Sequence, residues 1–207
     1  MDSSTPTSAA EVIPLDQFVA GLEGISKGRI TKQILCDYLT RNIPRRGDLD
    51  SVVNWAPDHH TRNLIFRNNL IELMLICWNV GNITPLHTHN GQLGWMVMME
   101  GRLKVENYRL VRCDKPENQQ VVGIDCLAGA TEIEMKLLRT EICEPGGPLN
   151  TVDKQQTIHR IANPSEWNQP ALSLHINSLP IESCVVFDLE SQRCTRRDLS
   201  YDNLIED

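Results

Sequence analysis

The sequence predicts a mainly β fold, a sandwich or jelly-roll-like barrel preceded by short N-terminal helices. Apolar residues recur at helical spacing only before Pro44, and after Trp55 and Pro57 the period shifts towards two, the spacing of a strand. The later segments are separated by Gly, Pro and Asn turns, and helices confined to the front of many short strands argue for that architecture.

Residues 1–12 are rich in Ser, Thr and Ala and read as a frayed terminus. Leu15, Phe18, Val19 and Leu22 share one helical face, and Ile30, Ile34, Leu35, Tyr38 and Leu39 share another. Gly24 and Gly28 punctuate the gap, so two short helices are expected. Strands are expected over residues 70–78, 93–99, 102–108, 121–126, 131–138, 156–161, 171–177 and 184–189. The run from Arg102 to Glu106 alternates charged and apolar residues, which gives a strand one wet face. Pro145-Gly146-Gly147-Pro148-Leu149-Asn150 breaks any ladder and divides the sheet into halves. A chain of 207 residues suits one core, so a single domain is expected over residues 13–192, followed by a charged tail over 193–207.

With 41% hydrophobic and 23% charged residues, the composition is neither that of a disordered chain nor that of a fibrous one. Twenty Lys and Arg against 27 Asp and Glu give a net charge of −7 without a basic block, so nucleic acid is not an expected partner. Leu73 to Met99 carries no charged residue, yet Asn79, Gly81, Asn82, Pro85, His87, His89 and Asn90 interrupt it. A membrane span needs about 20 mainly apolar residues, so buried strands around a functional turn are expected instead. The opening Met1-Asp2-Ser3-Ser4-Thr5-Pro6 has no basic or apolar signal region, which favours the cytoplasm. Seven cysteines without a C-x-x-C pair imply no disulfide framework or zinc ribbon, and Cys77 and Cys184 read as small buried hydrophobes. The oligomeric state is left open, a monomer included.

The six histidines carry the chemistry. His87-Thr88-His89 puts two imidazoles on one face of an extended segment, about 6–7 Å apart along the backbone, within reach of one ion. An H-x-H pair alone is a weak signal, because surface histidine pairs are common. His159, on another expected strand, is the natural third ligand if the sheet closes. Gly81, five residues, His87, one, His89, four, Gly94, six and Gly101 resembles the first cupin motif, and His159 with Asn163 resembles the second. A cupin fold is what this resemblance implies. Most cupins place a glutamate ligand where this chain has Gly94. Three neutral imidazoles would leave a dication with nearly its full charge and open positions, which suits an anionic, bidentate substrate bearing a thiolate.

Five pieces in order resemble the cysteine dioxygenase family over roughly residues 50–190. They are His60-Thr61-Arg62-Asn63-Leu64, Leu73-Met74-Leu75-Ile76-Cys77-Trp78, Pro85-Leu86-His87-Thr88-His89, Ile158-His159-Arg160-Ile161-Ala162-Asn163 and Ser173-Leu174-His175-Ile176-Asn177. The resemblance implies Fe(II) held by His87, His89 and His159, and a substrate carboxylate gripped by the planar fork of Arg62. It places Ser173 and His175 as a hydrogen-bonding pair behind the active site, and the period of two puts Ser173, His175 and Asn177 on one strand face. Two positions depart from the family. Asn177 stands where a tyrosine is usual, crosslinked in animal members to a cysteine at the place of Gly94, and His60 stands where a tyrosine often lies beside the substrate. Either the substrate differs from cysteine, or Tyr38, Tyr108 or Tyr201 enters from elsewhere. The expected activity is an iron(II)-dependent dioxygenase that adds both atoms of O2 to a small carboxylate-bearing thiol, cysteine first, to give a sulfinate. A different thiol, chemistry beyond the sulfinate, or a zinc-binding non-oxidative cupin are the alternatives.

Overall fold

The computed structural model describes residues 10–28, 30–113, 133–152, 158–191 and 193–204. Met1–Ser51 forms one compact unit and Val52–Asp207 a second, a division that falls inside the span expected to be a single domain. The front segment has a small sheet of its own. β1 (Glu11–Ile13) pairs in parallel with β2 (Asn42–Pro44), so residues 11 and 12, expected to fray, are in a strand.

Between them lie α1 (Leu15–Ser26) and α2 (Lys32–Arg41). Thr31 caps α2 by accepting the Ile34 amide at 3.2 Å, one of the orphan donors of a first turn. Phe18, Leu22, Leu35 and Leu39 are buried as the helical spacing predicts, whereas Ile34 is exposed. Tyr38 donates to the Phe18 carbonyl at 2.8 Å, which accounts for its phenol within this unit.

The second unit is two antiparallel sheets. One holds β3 (Thr61–Arg67), β4 (Ile71–Trp78), β6 (Leu93–Glu100), β9 (Asn150–Val152) and β11 (Ala171–Ser178), in the order β3-β4-β11-β6-β9. The other runs β13-β12-β5-β10-β7-β8, from β5 (Leu86–His87), β7 (Leu103–Cys113), β8 (Ile133–Cys143), β10 (Ile158–Ala162), β12 (Ser183–Asp188) and β13 (Arg193–Asp198). The fold is mainly β and jelly-roll-like, as expected of a cupin. It is not a closed barrel, because among the described residues no ladder joins one sheet to the other, and closure requires continuous pairing around the ring. The expected strand 121–126 lies outside the described residues, as do the starts of those at 131 and 156.

Residues 193–198, expected in the tail, pair along β12 as an edge strand. Their charges hid the strand, since an edge with a wet side tolerates arginines. The core between the sheets gathers Ile76, Trp78, Met96, Met98 and Ala171 from one and Leu103, Val105, Cys143 and Ile161 from the other. Each such side chain contributes about 1.5–3 kcal/mol on burial. Every residue of β4 is buried, which its nearly unbroken apolar run requires, and Cys77 and Cys184 are buried as read from the sequence. Among the described residues no helix is long and apolar enough to cross a membrane.

Candidate active site

Antiparallel partners send their side chains to the same face, and register therefore builds the site. His159 on β10 pairs directly with His87 on β5, and His87 pairs on its other side with Val186 of β12. His89 follows β5 and opens a turn in which Asn90 and Gly91 both have positive φ, 50° and 72°, closed by the Gln92 amide on the His89 carbonyl at 2.9 Å. Two successive left-handed residues make this a type I′ turn, for which Asn-Gly is the favoured pair. The chain thus reverses immediately after the second imidazole.

The three rings converge. His89 Nε2 lies 3.0 Å from His159 Nε2, and His159 Nε2 lies 3.2 Å from His87 Nε2. All three ligand atoms fall within 4.8 Å of one another. Two nitrogens bound at right angles to one ion, each at about 2.1 Å, are about 3 Å apart, so these spacings suit adjacent positions around a metal. His87 Nδ1 sits 3.0 Å from the Pro85 carbonyl, an arrangement in which the Nδ1 proton is donated and Nε2 keeps its lone pair for a ligand bond. Burial, followed by neighbouring positive charge, holds all three rings below the usual histidine range, so they are neutral donors.

Gly94 makes room for this cluster. A Cβ there would lie 2.8 Å from His89 Nδ1, 2.9 Å from His89 Cε1 and 3.1 Å from Asn177 Oδ1. Neither a glutamate ligand nor a cysteine fits without moving His89, and Gly94 pairs directly with Asn177 across β6 and β11. Gly94→Ala is therefore expected to displace the His89 ring and lower metal affinity by roughly the 10- to 100-fold that loss of an outer supporting contact costs. Titration of the metal-free protein with Co(II) checks it, and an unchanged affinity would show that His89 has slack.

The cluster opens on a cavity of about 130 Å3 that His60, Arg62, His175 and Asn177 also line. Arg62 reaches it because it pairs with Ile76 of β4, whose side chain faces the same space. Its Nη1 donates to the Ser200 carbonyl at 2.9 Å and its Nη2 to Met74 Sδ at 3.3 Å. His60 stacks on Trp78 with centroids 4.8 Å apart. Ser173 does not border the cavity but stands behind His175: Trp78 Nε1 donates to Ser173 Oγ at 2.9 Å, and Oγ lies 2.9 Å from His175 Nε2. Accepting from Trp78 leaves the Ser173 hydroxyl one lone pair and its proton, so it can pair with Nε2 of His175 in either tautomer.

Burial drives His60 down to about 4 and His175 to about 3, with help from each other's neighbourhood of Arg62 and His87. In the unfolded chain these rings titrate near 6.5, so the unfolded state binds more protons below that pH. The stability gained by keeping them neutral is complete above pH 6.5. It is lost as pH falls towards 4 and then 3, by up to about 1.4 kcal/mol per pH unit for each ring. The urea midpoint of the metal-free protein is expected to be lower at pH 5 than at pH 7, and equal midpoints would contradict burial of neutral rings.

Between residues 48 and 190 the chain matches the family model for cysteine dioxygenase type I. The chain belongs to the cysteine dioxygenase type I family. Cysteine dioxygenase type 1 of Homo sapiens is 28% identical over 130 residues, covering 62% of this chain and 56% of that protein. The Danio rerio protein of the same name is 27% identical with the same coverage, so the chain matches little more than half the length of these relatives. A cupin superfamily protein of Desulfitobacterium hafniense aligns with a TM-score of 0.42 at 11% identity, over 67% of this chain and 92% of that one.

Of the three tyrosines considered from sequence, Tyr201 comes beside Arg62, and several other residues at the site of this member of the cysteine dioxygenase family have no role assigned from sequence. Glu72 is fully buried beside Asn177, and a lone carboxylate in the apolar run of β4 was its only signal. Cys184, read as a small hydrophobe, also borders the cavity, and burial pushes its thiol up. Arg197 lines the same space from β13 and, like Tyr201, comes from the charged tail. Tyr108 stays on β7 beside Glu106 and Arg160. Asn163 is buried away from the cavity, bridging the Trp78 and Gln169 carbonyls.

Proposed function

We propose that this chain is an iron(II)-dependent thiol dioxygenase that converts a small carboxylate-bearing thiol, L-cysteine first, into its sulfinate with O2. The observation that carries the reading is the convergence of three neutral imidazole Nε2 atoms on a cavity that, among the described residues, no carboxylate lines and that a guanidinium enters. His87, His89 and His159 would hold the ion. The donor set fits: three buried nitrogen ligands without an acid leave vacant positions for small anionic and neutral ligands. A bound ferrous ion supplies the redox chemistry that combines thiol and O2.

The chain's own residues bind and orient the substrate. Arg62 has five N–H donors, and with Ser200 and Met74 each taking one, three remain for a carboxylate. Its charge balances the substrate anion in a space that Arg197, Thr84 and Thr88 also line and whose apolar wall is Met74, Ile76, Ile161, Ile181, Val186 and Leu199. The apolar part of the wall strengthens the charge pairing beside it. Volume limits the ligand: a cavity of roughly 150 Å3 takes benzene, six heavy atoms. At about 130 Å3 this one suits a small molecule of that order of size. His175, held by Ser173, presents a neutral ring that orients polar groups without adding charge.

The test is oxygen uptake by protein whose metal content is measured as purified and again after anaerobic loading with Fe(II). One sulfinate per O2 consumed is expected with cysteine, and 3-mercaptopropionate compares a thiol that lacks the amine. Zinc as purified, with no thiol-dependent uptake after iron loading, would overturn the proposal.

A further inference from the structure

The chain lacks both phenols that the family usually places at this site, yet a phenol from the C-terminal segment comes beside it. Residues after β13 run along the outer edge of β3. The Leu199 amide donates to the Glu182 carbonyl at 2.8 Å, the Arg62 amide to Asp202 Oδ2 at 2.7 Å, and the Asp202 amide to the Arg62 carbonyl at 2.8 Å. The Leu64 amide donates to Asn203 Oδ1 at 2.8 Å, and Asn203 Nδ2 returns a bond to the Leu64 carbonyl at 2.9 Å. An edge strand's unpaired groups are thereby satisfied, and the segment is fixed in register with Arg62.

Tyr201 is held within it on three sides. Its ring centroid is 5.2 Å from the Arg62 guanidinium carbon and 5.9 Å from that of Arg67, and its hydroxyl donates to Glu72 Oε2. The Glu72 carboxylate also accepts from Asn177 Nδ2 at 2.6 Å and from the Ile181 amide at 3.2 Å. Three donors on one buried carboxylate make a satisfied network, and a buried charge without such partners would be costly. Burial and Glu72 push the Tyr201 phenol up to about 12, so it keeps its proton and remains a donor.

We propose that Tyr201 is a positioning residue for both ends of the site: its ring seats the Arg62 guanidinium, and its hydroxyl, acting through Glu72, sets the amide of Asn177. The second half follows from donor counting. Glu72 accepts from Tyr201, from the Ile181 amide and from Asn177 Nδ2, so the Asn177 Oδ1 turns the other way. That oxygen borders the Gly94 gap together with His89 Nδ1, a buried ring nitrogen. An acceptor on that side favours the tautomer with the proton on Nδ1 and the lone pair on Nε2, the atom aimed at the cluster. The first half rests on the functional reading above, because it assumes that Arg62 takes the substrate carboxylate.

Tyr201→Phe and Tyr201→Leu in the full chain separate the two contacts, since Phe keeps the ring and loses the hydroxyl while Leu loses both. With Fe(II) bound and O2 excluded, Tyr201→Leu is expected to weaken cysteine binding by about 2- to 30-fold relative to Tyr201→Phe, the range of a cation–π contact. Binding of cysteamine, which has no carboxylate, should not distinguish them. In a Co(II) titration of metal-free protein both variants are expected to lose affinity by up to about tenfold, less than a direct partner of a ligand would cost. Equal weakening of cysteine and cysteamine between the variants would reduce Tyr201 to a structural support and overturn the ring's role. Unchanged metal affinity in Tyr201→Phe would overturn the hydroxyl's role. Should the wild type consume no O2 with any thiol, the functional reading falls separately, and the titration alone still decides the link through Glu72 and Asn177.

Discussion

His159→Ala is expected to abolish stoichiometric metal binding and, with it, all thiol-dependent oxygen uptake. The ring lies 3.0 Å from one partner nitrogen and 3.2 Å from the other, so it is the shared neighbour of the cluster. Removing it leaves His87 and His89, which are joined by a two-residue step, and among the described residues no carboxylate lines the cavity to take the third position. The loss should exceed the 10- to 100-fold that an outer partner costs, because a bond to the metal itself is removed. His159 is only 2% exposed and sits in a ladder whose backbone bonds are unaffected by truncation, so the variant should remain folded. Metal analysis after dialysis, with circular dichroism as the control, checks this. Retention of one metal per folded chain would show that the three imidazoles are not the site.

Arg62→Ala is expected to have the second largest effect, and it should fall on binding. Truncating one partner of a desolvated, hydrogen-bonded charge pair costs roughly 2–5 kcal/mol, or about 30- to several thousand-fold. For a carboxylate-bearing thiol the loss should appear in KM, with cysteamine turnover nearly unchanged. Arg62→Lys should recover only part, because an ammonium is a point charge that cannot match both carboxylate oxygens in one plane. The backbone of Arg62 keeps its two bonds to Asp202 in either variant, so the C-terminal segment stays attached. Equal losses with both thiols would assign Arg62 to holding that segment rather than to substrate.

Most of the site can be traced in the linear chain because local spacing carries it. His87 and His89 are separated by a single residue, and Ser173, His175 and Asn177 obey the period of a strand whose other face is Leu172, Leu174 and Ile176. That polar face borders or backs the cavity instead of facing solvent, since Ala171 on the same face of β11 packs in the core between the two sheets. The helices and most strands follow for the same reason. β1, β2, β3, β5, β9 and β13 do not, being short, mixed in polarity or at sheet edges, where half the side chains and backbone groups answer to water and leave little pattern. Glu72 is the clearest omission, and Tyr201, one of three tyrosines named as able to enter the site, could not be singled out from the other two. Glu72 and Tyr201 are 129 residues apart, and neither has a local partner that would mark it.

Periodicity, the H-x-H step and the glycine between the ligands thus belong to the chain itself, because each depends on neighbours a few bonds away. The pairing of His159 with His87, the separation into two sheets, and the seat that Tyr201 makes for Arg62 depend on strand register across more than 70 residues. Register is a cooperative outcome of packing both sheets at once, and only the folded molecule contains it.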